Sequence, residues 1–236
     1  MKKQINPRLL SIELPSDRSA FLWGPRKTGK TYWLKAHYGQ TPLIDLLKTD
    51  VFADFASRPS LLRELYREHR GLVVIDEIQM VPDLLKEIHW MIENTDAHFL
   101  MTVSSARKLR RGHANLLAGR AWRYTMAPLT YNETDGFDLE DVFVSGLLPP
   151  HFLSVYPVRD LRSYVADYLK EEIAAEAAAQ SIPAFAEFLR VAALTSGELL
   201  NYTNIARETG ASAKVVRGYF QILEDTIFWK VCGRAS

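Results

Sequence analysis

Residues 20–31 read AFLWGPRKTGKT, and this stretch decides the fold of the chain. Its first four residues form a short apolar run that ends at a glycine, which predicts a buried strand. Residues 24–31 fit the pattern G-x-x-x-x-G-K-[ST], and residues 29–38 have the spacing of a helix. A strand, a glycine-rich turn and a helix in this order predict a loop that wraps a phosphate group. The alternative is an ordinary glycine-containing turn between a strand and a helix.

The positions of this loop have different expected roles in holding phosphate. Gly24 and Gly29 let the backbone turn without side-chain clashes, so that amide groups and the helix N-terminus face the ligand. Lys30 is expected to reach the β- and γ-phosphates, and the Thr31 hydroxyl to bind Mg²⁺. The predicted ATP-binding residues are Gly24, Pro25, Arg26, Lys27, Thr28, Gly29, Lys30 and Thr31.

After the loop, short apolar runs alternate with helical patterns as far as Pro128. The predicted strands are 42–47, 72–75 and 99–103, and the predicted helices are 60–69 and 83–93. All-apolar strands that alternate with helices are typical of a parallel sheet covered on both faces. The sequence therefore predicts an α/β fold with a parallel-sheet P-loop NTPase core.

The chain beyond the core has a different character. Residues 129–160 are rich in Pro, Gly and Asp and are interpreted as a connecting region. A long helix is predicted from 161 to about 180, and a small helical unit over 184–226. The predicted domains are a P-loop core at 1–128, a connecting region with the long helix at 129–183, and a helical domain at 184–236.

An acidic pair follows the strand at 72–75. Asp76 and Glu77 lie at its carboxyl end, where open α/β sheets bind their ligands. Hydrolysis of a nucleotide needs an acid that holds the metal and a group that orients water. We expect Asp76 to hold Mg²⁺ and Glu77 to polarise the attacking water. The alternative is a solvated acidic turn.

The strand at 99–103 also ends in polar residues, Thr102-Val-Ser104-Ser105. Ser104 is predicted to contact the γ-phosphate or the water, with Ser105 as the second choice. An equally weighted alternative is that the serine caps the helix that follows.

Residues 107–123 carry six Lys or Arg and no acidic residue. Arg120 or Arg107 is the candidate for an arginine finger, acting within its own chain or from a neighbouring subunit. The same basic stretch can contact a nucleic acid backbone. The alternative is a solvated helix face with structural arginines.

Residues 201–223 are predicted to form a helix-turn-helix. Gly210 suits the left-handed turn position and Ser212 can cap the second helix, on which Lys214 and Arg217 could face DNA. Residues 195–236 hold five Lys or Arg against four Asp or Glu, so this unit has little electrostatic attraction for DNA. The alternative, a lid or protein-contact module, is favoured.

Taken together, GPRKTGKT, LVVIDEIQ, FLMTVSSARKL and LLAGRAWRYTMAPLT resemble one group of prokaryotic AAA-type ATPases, and SGELLNYTNIARETGASAKVVRGYFQILEDT extends the likeness. That group carries a C-terminal region known as domain of unknown function 4143. The resemblance implies ATP and Mg²⁺ as ligands and a winged-helix segment after the core. It also implies a sheet in which the sensor strand separates the acidic strand from the phosphate-loop strand.

The resemblance has one departure. Members of the group are usually longer and continue into a nuclease-like domain, whereas this chain stops at residue 236, shortly after the helical unit. We therefore expect either a fragment or a degenerate gene, and no activity of that further domain is predicted here.

Composition argues against a nucleic-acid-coating, a disulfide-bonded, a secreted or a membrane-spanning protein. Lys and Arg total 29 against 28 for Asp and Glu, which is less basic than a dedicated nucleic-acid-coating protein. The single cysteine, Cys232, allows no internal disulfide, and the start has no apolar stretch typical of a secretory signal. No run approaches a membrane span. A cytoplasmic protein without membrane contact is expected, with a homo-oligomer as an open possibility.

These observations predict a Mg²⁺-dependent ATPase. Lys30, Glu77, Ser104 and Arg120 are the expected catalytic residues, and Thr31 and Asp76 the expected metal ligands. The alternative is a nucleotide-gated switch that binds DNA or protein with little turnover. A small-molecule kinase shares the phosphate loop, but the acidic pair and the helix-turn-helix argue against it.

Overall fold

A computed structural model describes residues 4–104, 109, 117, 119–168 and 182–225 of the chain. The protein divides into two compact units. The first consists of Met1–Asp138 with Leu147–Pro150, and the second of Leu139–Gly146 with His151–Ser236. The domain limits at 128 and 183 stay predictions.

The first unit is built on a five-stranded parallel sheet with the strand order β3-β4-β5-β2-β6. The predicted fold class is confirmed, and the sensor strand β5 separates the acidic strand β4 from the phosphate-loop strand β2, as the resemblance implied. The strands of the unit are β1 (Gln4–Ile5), β2 (Ser19–Trp23), β3 (Leu43–Asp45), β4 (Gly71–Asp76), β5 (Ala97–Val103), β6 (Ala121–Thr125) and β7 (Thr134–Asp135).

The register of the sheet brings the ends of its central strands together. Trp23 at the end of β2 pairs with Val103 at the end of β5, and Ile75 of β4 pairs with Met101. Because all three strands run in the same direction, the residues that follow them lie along one edge of the sheet. The phosphate loop, the acidic pair and Ser104 all follow these three strands.

The described part of this unit contains the α-helices α1 (Lys30–Tyr38), α2 (Thr49–Ser57), α3 (Leu61–Tyr66) and α4 (Leu84–Asn94). The helix predicted at 83–93 is present because Leu84, Leu85, Ile88 and Met91 form one buried stripe at helical spacing. The helix predicted at 60–69 is shorter. Sequence patterns did not predict α2, which buries only Phe55 and so has a weak apolar signal.

A small second sheet ties the start of the chain to the end of this unit. β1 and β7 are antiparallel, with Gln4 opposite Asp135 and Ile5 opposite Thr134. Each strand has two residues, too few to produce a recognisable alternation of apolar and polar positions. The pairing nevertheless places residues 4–9 beside residues 133–135.

The second unit is helical in its described part. The chain from 139 onward forms α5 (Leu139–Ser145), α6 (Pro149–Phe152), α7 (Pro157–Tyr168), α8 (Ile182–Leu194), α9 (Tyr202–Thr209) and α10 (Ala213–Asp225). The region 129–160, predicted to be a connecting region, contains α5, α6 and the start of α7, and its role as a connection stays a prediction. The long helix predicted at 161–180 begins at Pro157, and its course beyond residue 168 lies outside the described residues.

The predicted helix-turn-helix is present at α9 and α10. The Asn201 side chain accepts hydrogen bonds from the amides of Thr203 and Asn204, and Gly210 ends α9 with a φ of 64°. Ser212 caps α10 by accepting from the Val215 amide over 3.3 Å. Both helices pack with α8 around one apolar core, formed by Phe185, Phe188, Ile205, Val216, Tyr219, Phe220 and Leu223 among others.

The residues after α10 lie outside the described part of the chain, so the wing implied by the resemblance stays a prediction. None of the helices in the described ranges combines the length and apolar character needed to cross a membrane.

Candidate functional site

The eight predicted loop residues form the turn between β2 and α1. The Gly24 amide donates to Val103 O over 3.1 Å, which fixes the start of the turn against β5. A Cβ atom at Gly24 would lie 2.5 Å from Met126 O, so no other residue fits without moving backbone. Gly29 precedes α1 with a φ of 93°, a left-handed conformation that glycine adopts at little cost. Both glycines are therefore required by local geometry.

The middle of the loop is held by its own side chains and backbone. Thr28 is fully buried, and its hydroxyl donates to Pro25 O over 2.9 Å. Lys27 is exposed and has a φ of 65°, an uncommon conformation for a residue with a side chain. A hydrogen bond within the turn therefore stabilises the unfavourable backbone conformation of Lys27.

Lys30 lies inside the turn. Its Nζ donates to Gly24 O over 2.8 Å and to Pro25 O over 3.0 Å, and the side chain is buried. Burial lowers the pKa of Lys30, while the carboxylates of Glu77 and Asp76 act in the opposite direction. The ammonium group is positioned at the centre of the loop and faces two acidic residues.

Asp76 is the last residue of β4 and is completely buried. One carboxylate oxygen, Oδ2, accepts from the Thr31 hydroxyl over 2.7 Å, and the other, Oδ1, accepts from the Thr102 hydroxyl. Burial raises the pKa of the Asp76 carboxyl, and these two hydrogen bonds partly offset that effect. The pair predicted from sequence to bind metal, Thr31 and Asp76, is therefore in direct contact.

Glu77 turns away from the direction of the strand. Its φ of 60° is left-handed, and its amide donates to the Thr102 hydroxyl over 2.8 Å. Its carboxylate Oε2 accepts from the Ser104 hydroxyl over 2.6 Å and also from the Gln79 side-chain amide. Asp76 and Glu77 thus have different partners, although they are adjacent in sequence.

Ser104 contacts the acidic residue in this structure. Its hydroxyl donates to Glu77 and accepts from Gln79 Nε2 over 2.9 Å. Its predicted contact with phosphate or water stays a prediction. The alternative residue Ser105 and the start of any following helix lie outside the described residues.

Two side chains of this cluster were missed by sequence reasoning. Thr102 bridges the Asp76 carboxylate and the Glu77 amide, and Gln79 holds both Glu77 and Ser104. Thr102 had a usable signal, since it is the polar residue in the otherwise apolar stretch FLMTV. Gln79 had none, because its contact depends on the left-handed turn at Glu77.

Sequence reasoning also missed a buried ion pair that supports the loop from outside. Arg8 donates through Nε to Glu133 over 2.9 Å and through its terminal nitrogens to Thr28 O over 2.7 Å and Ala127 O over 2.6 Å. Glu133 is almost fully buried. One guanidinium group therefore joins the residues after β1, the phosphate loop and the residues after β6.

Glu133 is a well-satisfied carboxylate. Burial alone would raise its pKa, but hydrogen bonds from the Leu9 and Thr130 amides and from Arg8 hold the pKa below its ordinary value. Its two oxygens accept from these groups separately, Oε1 from Leu9 and Arg8 and Oε2 from Thr130.

Arg120 lies away from the loop of its own chain. It immediately precedes β6, whose first residue Ala121 pairs with Ser19 at the amino end of β2. The loop follows the opposite end of β2, so the structure does not bring Arg120 to it. Its guanidinium instead donates to Glu93 over 2.6 and 3.1 Å. Action from a neighbouring subunit stays a prediction, and Arg107 lies outside the described residues.

Comparison with known proteins identifies the first unit. The sequence profile of the family described as AAA domain matches residues 16–134, which is half of the chain. This chain belongs to the AAA family. A second profile, a domain of unknown function (DUF8612), matches residues 136–235 of this AAA protein. DUF8612 is therefore found where the resemblance implied domain 4143, which the comparisons do not show. The AAA protein matches no curated protein.

Three solved structures show a distant similarity to this AAA protein. The Aeropyrum pernix ORC1 protein in complex with DNA is 15% identical, with a TM-score of 0.36, and covers 89% of this chain and 78% of its own. The A. pernix ORC2 protein (ADPNP-ADP complexes) is 14% identical, with a TM-score of 0.35. The match covers 89% of this chain and 80% of the ORC2 chain. PCH-2 of C. elegans is 15% identical, with a TM-score of 0.31. The match covers 87% of this chain and 61% of the PCH-2 chain. Similarity at this level carries no functional argument.

Proposed function

We propose that this AAA protein binds ATP with Mg²⁺ and hydrolyses it. The observation that carries the proposal is the 2.7 Å hydrogen bond between the Thr31 hydroxyl and Asp76 Oδ2. It joins the last residue of the phosphate-loop motif to the acidic strand. A phosphate loop that serves only as a turn has no need of a buried carboxylate at this position.

The loop supplies the contacts that a triphosphate needs. Gly29 adds no side chain over the turn, where nothing lies within 4 Å of its missing Cβ position, and α1 begins directly after it at Lys30. Lys30 Nζ would exchange its bonds to the carbonyls of Gly24 and Pro25 for the β- and γ-phosphates. Since its pKa is lowered by burial, an anionic ligand beside it also favours its charged form.

The residues fit Mg²⁺ in type and in number. Mg²⁺ prefers hard oxygen ligands and is commonly held by one or two protein groups together with substrate phosphates and water. Thr31 and Asp76 offer a hydroxyl and a carboxylate. In the described part of the chain no three His, Cys, Asp or Glu side chains gather to hold a metal by themselves. The proposed ion would therefore bind together with the nucleotide and would polarise its phosphate oxygens.

Glu77 is the proposed base for hydrolysis. It would take a proton from a water whose oxygen bonds to the γ-phosphorus as the bond to the bridging oxygen of ADP breaks. Ser104 holds the Glu77 carboxylate from β5. Arg120 would add positive charge from a neighbouring subunit, since it lies at the far end of the sheet in its own chain.

The second candidate function is a nucleotide-gated switch that contacts DNA or protein. It is favoured by the helix-turn-helix, on which Lys214 and Arg217 are exposed. The guanidinium of Arg217 lies over the Tyr202 ring, 5.1 Å from its centre, so Arg217 already has a cation–π contact within this unit. The basic stretch 107–123 is the other candidate for DNA contact.

The deciding experiment measures phosphate release from Mg²⁺-ATP by the wild type and Glu77→Gln, with and without duplex DNA. The variant should bind ATP normally and lose at least about 100-fold in turnover, because a general base supplies rate enhancements of that order. Glu68→Gln, at an exposed glutamate of the same unit, is the matched control. Lys30→Ala should abolish ATP binding measured by calorimetry. ATP binding without turnover in the wild type would exclude the ATPase and leave the switch.

A further inference from the structure

Gln79 occupies a buried position beside the acidic pair. It lies in a 3₁₀ turn, Ile78–Met80, directly after Glu77, and only 6% of its surface is exposed. Its amide nitrogen donates to Ser104 Oγ over 2.9 Å and to Glu77 Oε2. The side chain is therefore directed at the end of β5 and at the carboxylate that follows β4.

The two oxygens of the Glu77 carboxylate have different environments. Oε2 accepts from both Gln79 and Ser104. Among the described residues, no side chain or amide donates to Oε1. A carboxylate anchored through one oxygen keeps a fixed orientation and presents the other oxygen as its available basic site.

Gln79 has a second unusual property. Its carbonyl oxygen Oε1 is buried and has no hydrogen-bond partner among the described residues. A buried polar atom without a partner costs about 1–3 kcal/mol, and such atoms are normally satisfied by water. Because the Gln79 amide nitrogen donates to Glu77 and Ser104, the carbonyl oxygen of the same amide lies next to the proposed base.

We propose that Gln79 is a positioning residue for ATP hydrolysis, a role that rests on the function proposed above. Its amide fixes Glu77 Oε2 and leaves Oε1 as the base, and its own Oε1 accepts a hydrogen bond from the attacking water. The water gives one proton to Glu77 Oε1, and its oxygen bonds to the γ-phosphorus while ADP leaves with the bridging oxygen. The proton then passes to the phosphate product. Gln79 itself exchanges no proton.

The first test is Gln79→Met, which keeps the length of the side chain and removes both polar atoms. We expect kcat to fall at least about tenfold, because misplacing a reacting group has effects of this size or larger. ATP affinity, measured by calorimetry, should stay within about twofold of the wild type, because the side-chain hydrogen bonds of Gln79 go to Glu77 and Ser104 and not to the loop. The matched control is Gln40→Met at an exposed glutamine of the same unit, with turnover unchanged.

A second variant guards against a loss of folding. Gln79→Glu keeps the shape of the side chain and replaces its donor by a second carboxylate, so it should lose turnover to at least the same extent. Thermal melting of each variant would identify any that is unfolded.

A double-mutant cycle separates positioning from general stabilisation. If Gln79 acts through Glu77, Gln79→Met should cause no further loss of turnover in a Glu77→Gln background. Independent, multiplying losses would overturn the proposal, and so would a Gln79→Met protein that turns over ATP as fast as the wild type or faster. A wild type that binds ATP without hydrolysing it would overturn the proposed function and this role with it.

Discussion

The Thr31 hydroxyl donates to Asp76 Oδ2 over 2.7 Å, so the first turn of α1 and the last residue of β4 are directly joined. The bond crosses the sheet edge between strands that are not neighbours, since β5 lies between β4 and β2. Both oxygens are of the type that Mg²⁺ prefers. Thr31 and Asp76 would hold the proposed ion, which would supply positive charge beside the phosphates.

Thr31→Val should raise the Mg²⁺ concentration needed for half-maximal turnover. The substitution removes one proposed metal ligand and leaves the buried Asp76 carboxylate with one hydrogen-bond donor fewer. A Mg²⁺ titration at saturating ATP measures the change. Thr31→Ser keeps the hydroxyl and should behave like the wild type. Equal Mg²⁺ dependence in Thr31→Val would exclude the hydroxyl as a ligand.

Thr102→Val should lower both stability and turnover. Its hydroxyl is buried and joins the Asp76 carboxylate to the Glu77 amide, so its loss leaves two buried polar groups without this partner. We expect the free energy of unfolding to fall by about 1–3 kcal/mol, measured by chemical denaturation. Thr125→Val, at an exposed position of β6, is the control and should change stability little. Wild-type stability in Thr102→Val would contradict the proposed bridge.

Gly24→Ala should weaken ATP binding and destabilise the first unit. The added Cβ would lie 2.5 Å from Met126 O, a backbone atom that cannot rotate away, so the loop must shift. Overpacking of this kind costs about 1–3 kcal/mol. The contrasting substitution is Gly218→Ala inside α10, where, among the described residues, the new Cβ meets no atom within 4 Å apart from the adjoining backbone of its own helix. That change should stabilise the helix by about 0.5–1 kcal/mol. A Gly24→Ala protein that melts at or above the wild-type temperature would refute the clash.

Glu133→Gln should reduce stability in a pH-dependent way. Because the pKa of Glu133 is lowered in the folded protein, its stabilising effect is present above the ordinary carboxyl pKa of about 4.3. The effect is lost as the pH falls through the folded pKa. Removing one partner of a buried ion pair costs about 3 kcal/mol. The difference in unfolding free energy between wild type and variant should therefore be largest near neutral pH and shrink in acid. A constant difference would show that Glu133 acts without its charge.

Arg120→Ala should slow hydrolysis mainly at protein concentrations where subunits assemble. Its ion pair with Glu93 is exposed to solvent, so its loss should change stability little. Turnover measured over a dilution series tests the dependence on assembly. Arg190→Ala is the matched control, since Arg190 is also exposed and bonded to a glutamate at 2.6 Å. An equal loss at every concentration would argue against action between subunits.

The sequence was sufficient to predict the parts of the site that are local in the chain. Residues 20–31 contain the strand, the loop and the start of α1 without interruption, and Asp76 and Glu77 directly follow an all-apolar strand. The helix-turn-helix could also be predicted from the sequence, because its cap at Ser212 and its left-handed Gly210 depend only on neighbouring residues.

Contacts between distant segments could not be predicted in the same way. Arg8 and Glu133 are 125 positions apart, and nothing in the local pattern around either residue indicates the other. Gln79 meets Ser104 only because Glu77 adopts a positive φ, which is unusual for glutamate. The position of Arg120 followed from strand register, and sequence spacing does not give the register of parallel strands.

The hydrogen bonds of Arg8 to Glu133, Thr28 O and Ala127 O also determine where this protein can be shortened. The AAA family match begins at residue 16, and a truncated protein designed on that limit would lack the cation that faces the buried Glu133 carboxylate. Such a protein would retain every residue of the nucleotide motifs but would lose the hydrogen bond that Arg8 donates to Thr28 O in the phosphate loop. A shortened protein should therefore begin no later than Gln4, so that it keeps Arg8 and the pairing of β1 with β7.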